Sequence, residues 1–387
     1  MPFYLAFKEL WRARGRYILF SLVIALITLL VLFVAALAEG LGSGNREYIE
    51  KLNADLLVYQ ANVDLNVGAS RIGAARLNEI RRVPGVKAVG PIATSNGSVM
   101  LEGGRKPLGV ALIGVEPGQP GEPPVVTGEG LRGRRAKEAV IDRQVALRTG
   151  LNAGDTVTIK TIQDTKEQYY TLRVAGVTDN RQYSLQPTII LPIRTWDEIR
   201  PQAVVGGVPD AEIVANVVAV RAGDPSPEGV LALARGIEGQ VQDVVAVDRV
   251  TAYEATPGYS AQQSTLNTQK YFALTIGVLV IGGFFQILTL QKVPQIGMLK
   301  AIGASNATVG LAAVIQIISV TVIGVGIGAA ATLLLSLGFP PTIPIVFSPA
   351  ALAASIASLL LIGPMGGLVS VGYSLRVEPL TALGLSG

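Results

Sequence analysis

The chain has 387 residues, of which 50% are hydrophobic and 16% charged, and it contains no cysteine and no histidine. A mean hydropathy of +0.46 is too high for a soluble protein of this length and indicates a membrane protein with a soluble part. The two missing residue types exclude disulfides, metal sites built from thiolates or imidazoles, and Ser-His-Asp hydrolysis.

The charged residues are unevenly placed along the chain. Outside residues 40–270 there are 7 Lys/Arg and 3 Asp/Glu, whereas 25 of each lie inside that range. The whole net charge of +4 therefore comes from segments that flank apolar blocks, where basic residues are typical of the cytoplasmic side of a membrane. The basic balance indicates an orientation in a membrane and does not indicate a nucleic-acid partner.

The first apolar block is Tyr17–Leu37, which is 21 residues long and uncharged. At about 1.5 Å per residue a helix of this length crosses the hydrocarbon core, so we predict a span over 17–38. Residues 1–16 carry four basic side chains and predict a cytoplasmic amphipathic segment at the membrane surface. Ala36–Ala38 resembles a signal-peptide cleavage site, but the apolar run exceeds the usual 7–15 residues, which favours a retained anchor.

Residues 39–269 change character and predict one or two extracytoplasmic α+β domains. The glycine-rich stretch 40–44 is interpreted as a flexible exit from the membrane. Helices are predicted over 70–83 and 226–241, the second with Ser226 as N-cap and Pro227 in the first turn. Short β-rich runs bounded by turn residues predict strands at 55–60, 106–115, 155–161, 169–177, 187–193 and 213–222.

The rest of the chain predicts three more spans and both termini in the cytoplasm. A 75-residue stretch without charge, 301–375, is too long for one helix and is divided by four prolines within 338–349. The predicted fold class is therefore an α-helical membrane protein of the cell (inner) membrane, with four transmembrane helices and a large extracytoplasmic α+β domain between the first two. The remaining predicted segments are the spans 270–291, 308–337 and 350–373, the short outer loop 338–349 and the cytoplasmic tail 374–387.

The one predicted internal loop, 292–307, contains "QKVPQIGMLKAIGAS" (291–305). Pro294 suits the first turn of a helix and Gly303 suits its C-cap, so the sequence predicts a short, separate helix. Its apolar residues recur every third position, which gives an amphipathic stripe of Val293, Ile296, Leu299 and Ile302. Such a helix is either a connector between two spans or a peg that docks into a soluble partner.

Small residues recur at four-residue spacing in the spans, as in Gly324-x-x-x-Gly328 and Gly363-x-x-x-Gly367, with Gly282-Gly283 in a further span. Such spacing lets helix backbones approach closely in lipid. Two interpretations are open: packing within the chain, or a face that moves or forms a dimer.

The internal loop resembles the R-x-x-E-I-G-x-L-[KR]-A-x-G-A signature of the FtsX/MacB-like permeases, the membrane subunits of type VII ABC transporters. Three other stretches are similar to family landmarks: the N-terminal "LAFKELWRARGRYILFSLVIALIT", the outer "EAVIDRQVALRTGLNAGDTVTIK" (138–160) and the closing "SLRVEPLTALG" (374–384). Pro294-Gln295 replaces the usual Arg-Glu, which is closer to the haem-exporter and DevC-like subgroup.

The resemblance implies that 292–307 is a coupling helix lying against a separately encoded ATPase. It also implies a permease homodimer in membrane lipid with two ATPase subunits, which bind ATP and Mg, while this chain itself binds no cofactor; a periplasmic adaptor is left open. The implied contact residues are Gln295, Ile296, Gly297, Met298, Leu299 and Lys300.

Three hypotheses follow. The first is an exporter of a hydrophobic or amphiphilic substrate (haem, lipid, peptide or drug) driven by mechanotransmission. Haem would lack histidine and cysteine ligands here, leaving a tyrosine, a glutamate or a methionine. The second is an FtsX-like signalling subunit that regulates a cell-envelope protein, and the third is a membrane-tethered enzyme, which the missing histidine and cysteine oppose. The interpretation as a lateral substrate portal rests on Glu39, Tyr271, Phe272, Phe284 and Phe285.

Overall fold

The computed structural model of the chain describes residues 2–101, 106–202, 215–339, 343 and 345–376. The chain forms two compact units. The first, here called the membrane unit, comprises Met1–Leu41 and Gln262–Gly387; the second, the inserted domain, is Gly42–Ala261. The prediction of one or two domains at 39–269 thus resolves to a single compact unit.

The helices in chain order are α1 (Pro2–Arg12), α2 (Arg14–Glu50), α3 (Ala74–Arg82), α4 (Arg143–Thr149), α5 (Ile193–Ile199), α6 (Pro227–Gln240), α7 (Arg249–Glu254), α8 (Tyr259–Ala301), α9 (Asn306–Ser336) and α10 (Pro349–Arg376). The strands are β1 (Leu56–Gln60), β2 (Val86–Val99), β3 (Leu108–Val115), β4 (Val125–Gly128), β5 (Glu138–Ile141), β6 (Thr156–Gln163), β7 (Lys166–Thr178), β8 (Thr188–Pro192), β9 (Val217–Ala222) and β10 (Val244–Asp248).

Four helices among the described residues are long and apolar enough to cross a membrane: Arg14–Gly44, Tyr259–Ala301, Asn306–Ser336 and Pro349–Leu368. Their order, with the inserted domain between the first and the second, confirms the predicted fold class. Short α1 precedes them, as predicted for the amphipathic segment. The outer loop 338–349 is only partly described, and residues 377–387 of the predicted tail lie outside the described residues.

Two local predictions are wrong. The glycine-rich stretch 40–44 is not a flexible exit, because α2 continues through it to Glu50. A Cβ atom on Gly44 would lie 2.9 Å from Leu185 Cδ2, so that glycine allows close packing against a loop of the inserted domain. Pro294 likewise does not begin a new helix, because α8 runs through it. Lys292 before this proline and Lys300 after it are bonded to neighbouring helices, which stabilises the helix here although proline lacks an N–H.

The inserted domain is built on a ten-stranded mixed sheet of order β10-β1-β9-β2-β3-β8-β5-β7-β4, with β6 paired to β2 and β7. Alternation along the strands sends successive side chains to opposite faces. In β1, Leu57 and Tyr59 pack with the C-terminal end of α2, whereas Leu56 and Val58 pack with α3 and α6. The second half of the sheet buries a further core against α4 and α5. The end of α2 is therefore part of the folded core of this domain.

Helix α6 confirms the prediction for 226–241 in detail. The Ser226 hydroxyl accepts a hydrogen bond from the Gly229 backbone N–H at 3.1 Å, and Pro227 occupies the first turn. Leu233, Ala234 and Ile237 are buried and Val230 is half-buried, so one face of the helix packs on the domain. Each of the six predicted strands and the other predicted helix has a counterpart in the structure, with α3 shorter than expected.

Five of the six glycines singled out in the spans lie where helices of the membrane unit approach each other closely, and Gly283 is the exception, since a Cβ there would meet no atom within 4 Å. A Cβ on Gly328 of α9 would lie 2.5 Å from the Ala25 carbonyl oxygen of α2, and one on Gly282 of α8 would lie 2.9 Å from the Gly366 oxygen of α10. Gly363 and Gly367 bring α10 against α9 in the same way. These contacts support the interpretation as packing within the chain.

Candidate functional site

The predicted internal loop is the turn where α8 ends and α9 begins. The Gly303 N–H donates to the Lys300 carbonyl at 3.0 Å and the Ala304 N–H donates to the Leu299 carbonyl at 2.9 Å, a Schellman ending in which Gly303 has φ of +101°. The Ser305 hydroxyl then accepts a hydrogen bond from the Thr308 N–H at 3.2 Å and caps α9. The predicted C-cap at Gly303 is confirmed, and the turn is defined on both sides.

One face of the last turns of α8 is exposed. Met298 is 54% exposed and Ile302, just beyond the helix, is 80% exposed. Gln291, Pro294, Gln295 and Ala301 are exposed as well. Their spacing of three and four residues places them on one side of the helix. We call this set of six residues the exposed face.

The opposite side of this segment packs within the membrane unit. Ile296 and Gly297 are buried, and Leu299 is half-buried. Lys300 Nζ donates to the Leu375 carbonyl of α10 at 2.9 Å, so this lysine ties α8 to α10. Of the six residues expected to lie against an ATPase, only Gln295 and Met298 belong to the exposed face.

A polar cluster joins four helices close to the same end of the membrane unit. Lys292 Nζ of α8 donates to Glu9 Oε2 of α1 at 3.0 Å, to the Tyr17 hydroxyl of α2 at 2.9 Å and to Gln316 Oε1 of α9 at 3.3 Å. The Tyr17 hydroxyl donates to Gln316 Oε1 at 3.0 Å, and Gln316 Nε2 donates to Glu9. We call these four residues the base cluster.

The base cluster has two consequences. It ties α1 to the three spans α2, α8 and α9 beside the exposed face. It also lines, through Glu9, Lys292 and Gln316, a cavity of about 50 Å³. That volume suits water and is well below the roughly 300 Å³ of a site for a small organic ligand.

Sequence reasoning did not single out Glu9, Tyr17 or Gln316. Gln316 did carry a signal, because a long amide in the middle of an apolar span needs a polar partner there. Glu9 was equally visible as a lone acid among the basic residues of 1–16. The sequence does not show that Glu9 and Gln316 both lie against Lys292, because the three residues are distant along the chain.

The predicted portal residues are not brought together. Phe285 is buried in the core of the membrane unit, and the Phe284 ring lies 4.9 Å from that of Phe20, centroid to centroid. Tyr271 and Phe272 are exposed on α8, about 20 Å further along the helix at 1.5 Å per residue. Glu39 is half-buried on α2. A single pocket made by these five side chains is not formed.

The C-terminal end of α2 is held firmly inside the inserted domain. Tyr48 is 2% exposed, and its hydroxyl donates to the Gly121 carbonyl at 3.0 Å. The Tyr48 N–H donates to the Gln182 carbonyl at 3.1 Å, and Arg249 Nη1 donates to the Leu52 carbonyl just after the helix at 3.0 Å. Within the domain, α2 is therefore bonded to the loop before β8 and to α7.

The start of α8 is tied to the same end of α2. Arg46 Nη1 of α2 donates to the Tyr259 hydroxyl at 3.2 Å, and the Tyr259 ring lies edge-on to Tyr253 at a centroid distance of 6.0 Å. Helix α2, by which the chain enters the inserted domain, and helix α8, by which it leaves, are thus joined by a hydrogen bond within the domain.

Comparison with known families accounts for both halves of this arrangement. Residues 17–227 match the MacB-like periplasmic core domain, and residues 271–379 match the FtsX-like permease C-terminal family. The first match alone covers more than half of the chain. The chain belongs to the FtsX/MacB-like ABC transporter permeases.

Relatives of this permease match it over nearly its full length. A Staphylococcus haemolyticus protein named as a hemin transport system permease protein, HrtB, is 26% identical over 98% of this chain and 99% of its own. An uncharacterized ABC transporter permease of Mycobacterium bovis is 21% identical over 97% of both chains. Among solved structures, the periplasmic region of MacB from Actinobacillus actinomycetemcomitans covers 53% of this chain and 94% of that one, at 15% identity and a TM-score of 0.35.

The permease offers no metal centre within its described residues. No group of three or more His, Cys, Asp or Glu residues there is placed to hold a metal ion. The candidate site consists of the exposed face, a capped turn and a polar cluster that links the helices behind them.

Proposed function

We propose that this permease is the membrane subunit of an ABC exporter, in which a separate ATPase drives extrusion of a hydrophobic or amphiphilic substrate by mechanotransmission. The observation that carries the proposal is the exposed face on α8, beside a base cluster that links four helices. Two copies of the ATPase would grip the exposed faces of a permease homodimer from the cytoplasm. ATP binding would draw these faces together.

The continuity of α2 supports the second step, from the membrane to the inserted domain. The helix runs unbroken for 37 residues, and its last turns are buried in the domain core. A displacement of α2 at the base cluster would then move the domain rather than bend a linker. The Arg46–Tyr259 bond would make α2 and α8 act on the domain together. We infer that the domain is extracytoplasmic and that both termini face the cytoplasm.

The cargo class is inferred from the relatives and from the small volume of the cavity beside the base cluster. A relative named for hemin transport, similar over the whole chain, makes haem the first substrate to test. With no histidine or cysteine in the chain, a porphyrin would rely on the exposed Tyr271, on Glu39, on a methionine or on stacking. Because the cavity beside the base cluster holds only about 50 Å³, a cargo of this size would have to bind elsewhere in the permease.

The test is reconstitution of the permease with its ATPase in lipid vesicles. We expect ATP hydrolysis that needs both proteins and rises with hemin or another amphiphile. Met298→Asp places a charge on the exposed face and is expected to lower coupled hydrolysis at least tenfold. Leu231→Asp makes the same kind of change at an exposed residue of α6 in the inserted domain and serves as the matched control. Hydrolysis by the permease alone, or equal loss in both variants, would contradict the proposal.

The second candidate function is signalling to a cell-envelope protein. It is favoured by a groove of about 640 Å³ between α6 and the β10–α7 segment, with exposed Leu231 and Val250 on its walls. In that case Leu231→Asp would abolish stimulation by a protein partner, and no amphiphile would stimulate hydrolysis. The same two variants therefore separate export from signalling.

A further inference from the structure

A second cavity in the inserted domain carries an inference that does not depend on the proposed function. It measures about 230 Å³ and lies between α3 and the first turn of α5. Three arginines line it: Arg81 from the last turn of α3, Arg134 from the segment before β5, and Arg194 from α5. The cavity is thus bounded by side chains that are always cationic.

The arginines are only partly neutralised. Arg134 is paired with Glu116, whose side chain is 15% exposed, and Arg81 Nη2 lies 3.9 Å from the other oxygen of the same carboxylate. None of the ion pairs between described residues includes the Arg194 side chain. The backbone N–H of Arg194 donates to the Arg134 carbonyl at 3.1 Å. The lining contains one acidic residue, Glu116, and three arginines, so it carries two positive charges in excess.

Apart from Asn78, the remaining residues that line the cavity have apolar side chains. Ile72 and Ile193 are buried and Leu77 is half-buried, and all three line the same space. A small inorganic anion would gain no binding energy from the apolar side chains. An uncharged lipid would gain none from pairing with the arginines. A planar guanidinium fork suits the oxygens of a carboxylate or a phosphate, and an alkyl chain suits the wall.

We propose that this cavity binds an anionic amphiphile, a molecule with a carboxylate or phosphate head and an alkyl body. The head would lie against Arg194 and Arg81, and the body against Leu77 and Ile193. The charge excess fixes the sign of the ligand, and the apolar wall distinguishes it from free phosphate.

The test uses the full chain in lipid nanodiscs and hydrogen–deuterium exchange, which shows where a ligand binds. Octyl phosphate and octanoate are the anionic probes, and octyltrimethylammonium and octyl glucoside supply the same chain with a positive or a neutral head. We expect both anionic probes to slow exchange in peptides that cover α3 and α5, and the other two to have no effect there.

Variants sharpen the result. Arg194→Gln is expected to raise the octyl phosphate concentration for half-maximal protection about tenfold, and Arg194→Lys less, because the charge is kept while the fork is lost. Arg235→Gln, an exposed arginine of α6, is the matched control and should change nothing. Equal protection by octyl glucoside, equal weakening by Arg235→Gln, or equally tight binding of inorganic phosphate would each overturn the proposal.

Discussion

The inserted domain and the membrane unit of this permease are each stabilised internally by different kinds of contact. In the inserted domain, helices cover both faces of a ten-stranded sheet and side chains fill the layers between them. In the membrane unit, helices meet backbone to backbone at glycines, and polar contacts are concentrated in the base cluster near one end. The difference follows from the surroundings, because burial drives folding in water, whereas close packing and a few polar contacts hold helices together in lipid.

The contrast bears on function. A sheet packed on both faces resists deformation and moves as a body. In the membrane unit, close backbone contacts at glycines occur together with a core of buried side chains between the helices. The proposed function would need a membrane unit that adopts two arrangements and an inserted domain that moves with it as a body.

The largest effect is expected at the glycine contacts. Gly328→Leu would place side-chain atoms into the Ala25 carbonyl of α2, a backbone atom that cannot rotate away. We expect a loss of more than about 3 kcal/mol, or failure to assemble, measured as thermal unfolding of the full chain in detergent. Gly326→Leu, two residues away, is the control and should behave as wild type, because a Cβ added there would meet no atom within 4 Å. Equal tolerance of both changes would show that the spans do not pack through glycine.

The next effect concerns the base cluster. Lys292→Gln removes the cation that Glu9, Tyr17 and Gln316 share, and leaves the Glu9 carboxylate without its charged partner. We expect a cost of roughly 1.5–3 kcal/mol in thermal unfolding, with partial recovery when Glu9→Gln is added. Arg16→Gln, which breaks an exposed bond to Gln291, should cost less than about 1 kcal/mol. If the double variant were no more stable than Lys292→Gln alone, the two charges would not be coupled.

The smallest effect is expected at a feature that both units share, a serine that caps the N-terminus of a helix. Ser226 caps α6 in the inserted domain and Ser305 caps α9 in the membrane unit, each through a hydroxyl that accepts a backbone N–H. Because capping is local, Ser226→Ala and Ser305→Ala should each cost about 1 kcal/mol, and the corresponding Asp variants should cost little. Chemical unfolding followed separately in the two units checks this, and a much larger cost at Ser305 would show that the turn is held by more than its cap.

The sequence predicted those features that depend on neighbours along the chain. Span lengths, the Ser226–Pro227 start of α6 and the Gly303 ending of α8 are of this kind. Strand β2 was missed because Gly90 and Pro91 interrupt it locally, while its pairing with β9, β3 and β6 comes from distant segments. Helix formation across 40–44 was missed for the same reason, since burial of Tyr48 and Ile49 in the domain extends α2 past its glycines.

Only part of the candidate site could be predicted from the sequence. The position of the turn and the apolar repeat of α8 were visible in the sequence, but the direction of each side chain was not. Lys300 was expected to contact an ATPase, whereas its Nζ donates to the Leu375 carbonyl of α10, and Lys292 of the same segment is bonded to Glu9 of α1. The portal residues were chosen by type, and their separation along α8 shows that type alone does not assemble a site.

The most direct test of the account is the sidedness of the exposed face. The chain contains no cysteine, so Met298→Cys introduces a single reactive thiol at a position that is 54% exposed. Intact cells and inside-out membrane vesicles would be treated with a maleimide that cannot cross the membrane, with and without the partner ATPase. We expect labelling only in the vesicles, and protection when the ATPase is bound. Labelling of intact cells from outside would contradict the account, because no cytoplasmic ATPase can grip a face that lies on the other side of the membrane.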